Sequence, residues 1–461
     1  MYRKKRRIHF VGVGGIGMSG IAEVLLSLGH RVTGSDLRGG AQTQRLAAAG
    51  ATVFRGHDSS HARGADVVVV SSAVPEDNPE VRFARDQGIP VIPRAEMLAE
   101  LMRLKSSVAV AGSHGKTTTC SLLGTILTEG GWDPTLVIGG KVNNLGGNAR
   151  LGQGDLLVAE ADESDGSFLL LCPTVTVVTN IDREHLNYYG DLESLKETFL
   201  TFVNRVPFYG FSVLCLDDPQ VRSLLSRVKK RKITYGLTPG AQATAREIQS
   251  EDWGFSFTLA FEGRDLGRLT VNIPGAHNVL NSLAASVVAL ELGVGFPALA
   301  AGIAKLSGVG RRLEKKGEAG GVLFLDDYGH HPTEIRATLK TLAERFPRRR
   351  KVVLFQPHRH SRTRALFEEF VGSFALADKL YVTDIYAAGE EARADLTAET
   401  LVAAIRRGGP DAEYGGRVAD LPARVAPGLA PGDVALTLGA GDIYEAGEEL
   451  MRLVRGERVT A

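Results

Sequence analysis

Short apolar runs alternate with longer amphipathic stretches along roughly the first hundred residues. Ile8–Val13, Arg31–Thr33, Thr52–Phe54 and Val67–Val70 have the length and composition of strands, and Ser19–Leu28 has the spacing of a helix. This alternation of strands and helices is typical of an open parallel sheet. The pattern therefore predicts an α/β unit in this part of the chain.

A second unit begins at Ser107–Ala111 and includes the predicted strands Leu156–Ala159 and Val175–Thr179. Within it, Trp253–Ile273 alternates apolar and polar positions around a glycine-rich turn, Gly263–Gly267, which predicts an antiparallel hairpin. We therefore expect a mostly parallel sheet with a small antiparallel part.

A third unit begins near Arg311. Its predicted strands are Val322–Leu325, Val352–Phe355, Leu380–Thr383 and Val434–Leu438. A chain of 461 residues has room for about three domains. We predict domains over residues 1–105, 106–309 and 310–461.

Composition excludes several classes of function. Lys and Arg number 54 and Asp and Glu 53, a balance that favours neither a nucleic acid nor a membrane surface as partner. Apolar runs such as Val67–Val70 are far below the ~20 residues of a membrane span. Cys120, Cys172 and Cys215 are odd in number and lack metal-type spacing, so we expect reduced, buried thiols in a cytoplasmic protein.

A phosphate loop is predicted where the second unit begins. After an apolar strand and before the helical stretch Cys120–Thr128 stand the residues Gly112, Ser113, His114, Gly115, Lys116, Thr117 and Thr118. Glycines let backbone N–H groups surround phosphate oxygens, and the helix N-terminus attracts negative charge. Lys116 can hold the β- and γ-phosphates, and Thr117 can place a hydroxyl on Mg²⁺. The pattern indicates that the chain binds ATP and Mg²⁺.

Acidic residues follow the next two predicted strands. Glu160, Asp162, Glu163 and Asp165 follow one strand, and His185 ends a segment after the other. Open α/β sheets bind ligands at the carboxyl ends of strands, and Mg²⁺ prefers oxygen ligands. We expect this cluster to face the phosphates and His185 to be a metal ligand.

A second glycine motif lies near the N-terminus. Gly12, Gly14, Gly15 and Gly17 contain the pattern G-x-G-x-x-G, and Asp36 follows Gly17 by 19 residues. This pattern is typical of dinucleotide binding, with a pyrophosphate at the helix N-terminus. NAD and a nucleotide-sugar diphosphate both fit the motif, and the ATP loop downstream favours the sugar nucleotide.

Taken together, these segments resemble the Mur ligases over essentially the whole chain. The motifs that carry the resemblance are GVGGIGMSG (12–20), GSHGKTTT (112–119), EADESDGSF (160–168), TNIDREH (179–185), PGAHNVLN (274–281), GVGRR (308–312), DDYGHHP (326–332), QPHRHSRTR (356–364), DIYAAGE (384–390) and LGAGD (438–442). The resemblance implies a Rossmann-like UDP-binding domain, a central P-loop ATPase domain and a C-terminal Rossmann-like domain that binds an amino acid.

The resemblance also implies a reaction. ATP would convert the lactyl carboxylate of UDP-N-acetylmuramate into an acyl phosphate, and L-alanine would then displace phosphate in a step of peptidoglycan precursor synthesis. In this reaction Lys116 would act on the ATP phosphates, and Thr117, Glu160 and His185 would hold Mg²⁺.

Further site residues are implied by the same motifs. The nucleotide would contact Asn278, Asn281 and Arg312. The sugar nucleotide would contact the glycine motif with Met18, Ser19 and Asp36, and also Ser164 and Asp165. The amino acid and the reaction centre would contact Tyr328, His330, His358, Arg359 and Arg362. Either His330 or His358 would be the base.

Several alternatives stay open. A ligase that recycles murein peptides would join the same sugar nucleotide to a tripeptide, but its acidic motif and glycine loop differ. Folylpolyglutamate synthetase shares the type of phosphate loop but lacks an N-terminal UDP domain. A nucleotide sensor without activity would need to have lost Lys116, Glu160 and His185, which are present. Lys196 does not match the carbamylated lysine of some Mur ligases, and the oligomeric state is left open, a homodimer included.

Overall fold

The structure is a computed structural model that describes residues 5–71, 73–142, 147–391 and 396–457. It contains three α/β sheets in chain order, as the sequence predicts. Each sheet is described below with its helices.

The first sheet has five parallel strands in the order β3-β2-β1-β4-β5. Its strands are β1 Arg7–Val11, β2 Arg31–Asp36, β3 Thr52–Arg55, β4 Val67–Val70 and β5 Val91–Pro93. Its helices are α1 Ile16–Ser27, α2 Ala41–Ala48, α3 Pro79–Asp86 and α4 Arg94–Met102. The strand order reverses direction at β1, which places the loop after β1 at the point where such sheets bind ligands.

The boundaries of β1 and α1 differ from the prediction. β1 ends at Val11 rather than Val13, because Gly12 takes a φ of +82° and turns the chain. α1 begins at Ile16 rather than Ser19, directly after the glycine loop. The apolar pattern cannot show this, since the helix starts within the glycine motif.

The central sheet has ten strands in the order β15-β14-β13-β12-β11-β10-β6-β9-β7-β8. Its strands are β6 Ser106–Ala111, β7 Thr135–Val142, β8 Gly147–Arg150, β9 Leu156–Glu160, β10 Val175–Val178, β11 Phe211–Cys215, β12 Lys232–Tyr235, β13 Ala243–Glu251, β14 Gly254–Phe261 and β15 Arg264–Val271. Its helices are α5 Lys116–Glu129, α6 Leu186–Tyr189, α7 Leu192–Val203, α8 Pro219–Leu224, α9 His277–Glu291 and α10 Phe296–Lys305.

The predicted hairpin is present, with a tighter turn than predicted. β14 and β15 are joined by Glu262 and Gly263, whose φ angles are +49° and +80°, as a two-residue hairpin turn requires. Gly267 therefore lies within β15, at a shift in register, and not in the turn. Two further antiparallel pairs, β13 with β14 and β7 with β8, complete the antiparallel part of this sheet.

The third sheet has six strands in the order β16-β17-β21-β18-β19-β20. Its strands are β16 Glu314–Ala319, β17 Val322–Asp327, β18 Lys351–Phe355, β19 Lys379–Thr383, β20 Ala412–Gly416 and β21 Val434–Leu438. Its helices are α11 Pro332–Arg345, α12 His360–Ala365, α13 Phe367–Val371, α14 Ala398–Arg407, α15 Leu421–Val425 and α16 Ile443–Val454. β16 is antiparallel to β17. The sequence did not predict β16, because this strand is largely polar.

The chain divides into two compact units. One comprises residues 1–273 and 277–309, and the other residues 274–276 and 310–461. In the first unit, α4 shares a hydrophobic cluster with Ala109, Ala111 and Phe168 of the central domain, so the first two sheets have a common core. The domain boundaries 1–105, 106–309 and 310–461 stay predictions.

Two smaller expectations concern membranes and thiols. Of the helices that the described ranges contain, none is long and apolar enough to cross a membrane. Cys120 and Cys215 are buried thiols, but Cys172 is exposed, contrary to the expectation that all three are buried.

Candidate active site

The predicted phosphate loop lies between β6 and α5, and its geometry requires glycine at two positions. Gly112 and Gly115 have φ angles of +131° and +84°. A Cβ on Gly112 would lie 2.1 Å from Thr179 Oγ1, and a Cβ on Gly115 would lie 2.6 Å from Asn281 Oδ1. The loop thus turns tightly into the N-terminus of α5, where backbone N–H groups attract anions.

The segment after β10 holds the phosphate loop in place. Asn180 accepts a hydrogen bond from Ser113 N at 3.1 Å through its backbone and from His114 N at 2.8 Å through its side chain. Thr179 Oγ1 donates to His114 O at 2.6 Å, and Asp182 Oδ2 lies 3.0 Å from His114 Nε2. The side chain of His114 is therefore used to fix the loop.

Lys116 is the first residue of α5 and is paired within the protein. Its Nζ donates to Gly112 O at 2.6 Å and to both carboxylate oxygens of Glu163 at 2.9 and 2.8 Å. Burial would lower the pKa of Lys116, but Glu163 and Asp162 raise it, so the lysine is charged. Burial raises the pKa of Glu163 to about 7 in spite of the attraction of Lys116. The sequence placed Glu163 in the acidic cluster but gave it no role at the site.

Carboxylates and a histidine meet beside the phosphate loop. Glu163, Glu184 and His185 each offer a ligand atom, and these atoms lie within 4.8 Å of one another. Of the residues predicted to bind metal, His185 belongs to this group. Glu160 ends β9, and its Oε2 would lie 2.6 Å from a Cβ at Gly139. Thr117 is buried in the first turn of α5.

Asn278 and Asn281 lie in the first turns of α9 and are both buried. Asn281 Nδ2 donates to Asn278 Oδ1 at 2.9 Å, and Thr119 Oγ1 donates to Asn281 Oδ1 at 3.3 Å. The structure thus brings this predicted nucleotide-contacting pair against the phosphate loop at Gly115.

The N-terminal glycine loop is tied to Asp36. Asp36 accepts from Gly14 N at 2.8 Å and from Arg38 N at 3.1 Å. Met18 and Ser19, predicted to contact the sugar nucleotide, have buried side chains, and Ser19 Oγ donates to Ile16 O. Met18 belongs to the hydrophobic core, so its side chain serves packing.

Ser164 and Asp165 lie in the turn after β9. Ser164 N donates to Asp162 Oδ1 at 3.1 Å, and Asp165 Oδ1 accepts from Ser167 N at 3.0 Å. Asp162 also pairs with Arg94 Nη2 at 2.9 Å. Sequence reasoning missed Arg94 because 68 residues separate the two partners.

The second compact unit gathers aromatic and basic side chains at the carboxyl ends of β17 and β18. The ring of His330 lies 5.4 Å from Tyr328 and 5.9 Å from His358, which stacks on Tyr386 at 5.4 Å. Arg362 Nη1 lies 3.2 Å from His358 Nδ1. Direct contacts therefore join Tyr328, His330, His358 and Arg362, four of the five residues predicted around the amino acid. Tyr386 also belongs to this cluster, but the sequence analysis gave it no role.

Burial and the neighbouring charges set the protonation state of His358. Burial, followed by His330, Arg362, Arg359 and Arg311, lowers the pKa of His358 to about 3. His358 is therefore a neutral imidazole near pH 7.

The remaining basic residues differ in how they are held. Arg359 has a φ of +70°, and its Nε is buried without a hydrogen-bond partner among the described residues. Arg312 lies over the ring of Tyr328 and 3.3 Å from Glu334. Arg311, which the sequence singled out only as part of GVGRR, pairs with Asp326 at 3.2 Å. Arg359 therefore has an N–H donor available to an anion.

Lys196 lies on α7 and pairs with Glu193 at 2.9 Å, one turn earlier on the same helix. This contact gives Lys196 no place in the cluster around Lys116.

Comparison with known families covers nearly the whole chain. The Mur ligase family catalytic domain matches residues 7–106, the Mur ligase middle domain residues 110–289, and the Mur ligase glutamate ligase domain residues 311–441.

Individual relatives match over their full length. A protein named UDP-N-acetylmuramate–L-alanine ligase from Geobacter sp. (strain M21) is 56% identical over 452 residues, which cover 98% of each chain. A protein of the same name from Desulfotalea psychrophila is 55% identical over 459 residues, covering 99% of this chain and all of the relative.

Solved structures show the same fold. The UDP-N-acetylmuramate–alanine ligase of Thermotoga maritima superposes with a TM-score of 0.85 at 28% identity and covers 98% of this chain and 100% of its own. A murein peptide ligase from Psychrobacter arcticus gives a TM-score of 0.74 at 24% identity, covering 99% and 100%, which supports the fold alone. Three family matches in order and relatives above 50% identity lead to one conclusion: the chain belongs to the Mur ligase family.

Proposed function

We propose that the chain is a UDP-N-acetylmuramate–L-alanine ligase that uses ATP to form an amide bond. The observation that carries the proposal is the full-length similarity to relatives of that name, at 56% and 55% identity. The phosphate loop with Lys116 at the start of α5 supports the use of ATP.

The chemistry follows from the poor reactivity of a carboxylate toward an amine. A lactyl carboxylate oxygen attacks the γ-phosphorus of ATP, the bond to ADP breaks, and an acyl phosphate forms. The nitrogen of L-alanine then attacks the acyl carbon, and the tetrahedral intermediate expels inorganic phosphate. We assign Lys116 to the β- and γ-phosphates, where its charge opposes the charge that develops on the transferred group.

The donor atoms beside the phosphate loop fit a divalent cation. Carboxylates of Glu160, Glu163 and Glu184 lie at or near strand ends with His185, and oxygen-rich sets of this kind suit Mg²⁺. We propose that Thr117, Glu160 and His185 hold Mg²⁺. When bound, the ion would neutralise negative charge on the phosphates. Removal of divalent ions with a chelator should abolish phosphate release, and added Mg²⁺ should restore it.

The nucleotide and the sugar nucleotide have separate proposed contacts. We assign Asn278, Asn281 and Arg312 to the nucleotide. We assign the glycine loop, Asp36, Ser164 and Asp165 to the sugar nucleotide, with the diphosphate at the N-terminus of α1. The buried Met18 and Ser19 would contribute through their backbone.

The alanine side is assigned to the basic cluster of the second unit. Arg359 and Arg362 are proposed to hold the alanine carboxylate, and the buried, unpaired Nε of Arg359 supports this role. We assign the proton-accepting role to His330. Its Nδ1 lies 3.1 Å from Tyr328 O, an obligatory acceptor, so that Nδ1 carries the hydrogen and Nε2 the lone pair. A pKa of about 3 makes His358 a weak base.

A phosphate-release assay tests the proposal directly. Phosphate should appear only when ATP, UDP-N-acetylmuramate and L-alanine are all present, and the product should contain the new amide by mass spectrometry. Glycine, L-serine and a murein tripeptide are tested in place of alanine, and binding of NAD is measured in parallel. Turnover with the tripeptide but not with alanine would overturn the assignment.

A further inference from the structure

Arg94 connects the glycine loop of the first domain to the acidic turn of the central domain. It is the first residue of α4, and its guanidinium packs against Gly17 in the first turn of α1. A Cβ at Gly17 would lie only 2.9 Å from Nη1 and 3.3 Å from Cδ of Arg94. The absence of a side chain at the third glycine of the motif therefore leaves room for this close approach of the arginine.

The other side of the Arg94 guanidinium faces an acidic partner. Nη2 donates to Asp162 Oδ2 at 2.9 Å. The next residue, Glu163, accepts both of its hydrogen bonds from Lys116. Two adjacent carboxylates on one turn thus hold two cations, one beside the glycine loop and one in the phosphate loop.

The arrangement contains two cations, each neutralised by a carboxylate of the protein. The side chains of Arg94 and Asp162 are 26% and 43% exposed, so their ion pair contributes little stability. The guanidinium offers several N–H donors in one plane, which suits the oxygens of a diphosphate or a carboxylate. Replacing Asp162 by a substrate anion as the partner of Arg94 therefore costs little free energy.

We propose that Arg94 binds an anionic group of the sugar nucleotide and leaves Asp162 when it does so. This inference rests on the proposed function, because it takes the sugar nucleotide to dock at the glycine loop. The anion is either the diphosphate, which we assign to the N-terminus of α1, or the lactyl carboxylate, which would have to reach the phosphates held by Lys116.

Calorimetric titration of three ligands distinguishes the two anions. UDP, UDP-N-acetylglucosamine and UDP-N-acetylmuramate share the diphosphate, but only the last carries the lactyl carboxylate. Arg94→Met should weaken binding at least tenfold for all three ligands if the diphosphate is the partner. It should weaken binding of UDP-N-acetylmuramate alone if the carboxylate is the partner. Arg94→Lys, which keeps the charge but not the planar fork, should fall between parent and Arg94→Met.

Two further variants separate binding from structure. Asp162→Asn removes the competing carboxylate and should bind the same ligands as tightly as the parent or more tightly. Arg103→Met removes an exposed arginine that pairs with Glu100 at the other end of α4, and it should leave binding unchanged. The KM for ATP should stay close to the parent value in Arg94→Met.

The outcomes are distinct. If folded Arg94→Met and Arg94→Lys bind every ligand like the parent, the inference is wrong. Equal losses of thermal stability and of sugar-nucleotide binding in Arg94→Met and Asp162→Asn would also overturn it, since that result describes a structural ion pair. Failure of the parent protein to bind UDP-N-acetylmuramate would instead contradict the proposed function.

Discussion

Lys116 is the residue whose removal has the most specific expected effect. Lys116→Ala should lower kcat by about 10²–10³-fold or more, because the transferred phosphate loses its charged donor. Binding of UDP-N-acetylmuramate should be largely kept, since Lys116 is not among its proposed contacts and most of these lie on the first domain. Phosphate release and calorimetry measure the two effects.

The control for this variant is Lys196→Ala, because Lys196 pairs with the exposed Glu193 on α7 and has no proposed role at the site. It should keep parent activity. Loss of sugar-nucleotide binding in folded Lys116→Ala would contradict the separation of the two sites.

His330 and His358 are neighbours for which we expect different kinetic effects. His330→Gln should lower kcat by about 10²–10⁴-fold, because the attacking amine loses its proton acceptor. His358→Ala should mainly raise the KM for L-alanine, because Arg362 loses the side-chain acceptor at 3.2 Å that orients it. Initial rates over a range of pH and alanine concentration separate these results, and a larger loss of kcat in His358→Ala would reverse the assignment.

The sequence predicted contacts that depend on local pattern and missed those that depend on tertiary structure. The phosphate loop and His185 follow from strand ends and motifs. The partners of Lys116 and Asp162, by contrast, are Glu163 and Arg94, and no local rule selects them from the other charges nearby. Burial is equally beyond local pattern, because the motif does not show that the side chain of Met18 packs in the core; a sugar-nucleotide contact of Met18 stays a prediction.

At the scale of elements, one buried carboxylate joins α3 to β1 and β2. Glu80 Oε2 accepts from His9 Nε2 at 2.8 Å and from Ser35 Oγ at 2.6 Å, and Oε1 lies 3.1 Å from His61 Nδ1. Burial would raise the pKa of Glu80, but these hydrogen bonds lower it to about 2. The carboxylate thus stabilises the fold in its charged form.

The sign of the pH effect follows from that pKa. A carboxyl with a depressed native pKa stabilises the protein above its ordinary pKa, and the contribution is lost as pH falls from about 4.5 toward 2. Glu80→Gln should cost about 3 kcal/mol at pH 7, and the difference from the parent should shrink below pH 4.5. Thermal unfolding between pH 3 and 7 measures this.

Glu76→Gln is the matched control, because Glu76 is exposed in the same domain. It should change stability little at any of these pH values. A difference between Glu80→Gln and the parent that does not vary with pH would show that the charge of Glu80 is not what stabilises the network.

The sequence predicted most strands because parallel strands buried on both faces form continuous apolar runs. β11 has the same buried, apolar character but was not predicted. β16 was missed for the complementary reason, since its residues are mostly polar and it lies at the edge of its sheet. The turn after β14 was placed too late because Gly267 was counted as part of the turn, whereas it lies at a shift in register within β15.

At the scale of the whole molecule, the domains differ in whether their hydrophobic core is formed by their own residues alone. Phe324, Leu354 and Ile443 belong to a hydrophobic cluster formed within the second unit. The first domain instead shares its cluster with residues of the central domain, such as Ala109 and Phe168. The two terminal fragments should therefore behave differently when expressed alone.

We predict that residues 310–461 fold cooperatively without the remainder of the chain, whereas residues 1–105 do not. Thermal unfolding followed by circular dichroism, together with the dispersion of amide NMR signals, checks both fragments under one set of conditions. A cooperative transition in 1–105 would show that the shared cluster is dispensable for the first domain.

The pairing of Lys116 with Glu163 gives the lysine of the phosphate loop a counter-ion from within the protein. A free anion must displace a carboxylate that is tethered at high effective concentration, and a small anion gains few other contacts in return. Millimolar inorganic phosphate should therefore compete only weakly with ATP in initial-rate measurements. A nucleotide can displace Glu163 because its base and ribose bring additional contacts. The loop thus binds nucleotides in preference to small anions. For the same reason, the inorganic phosphate formed in the reaction should bind only weakly to Lys116.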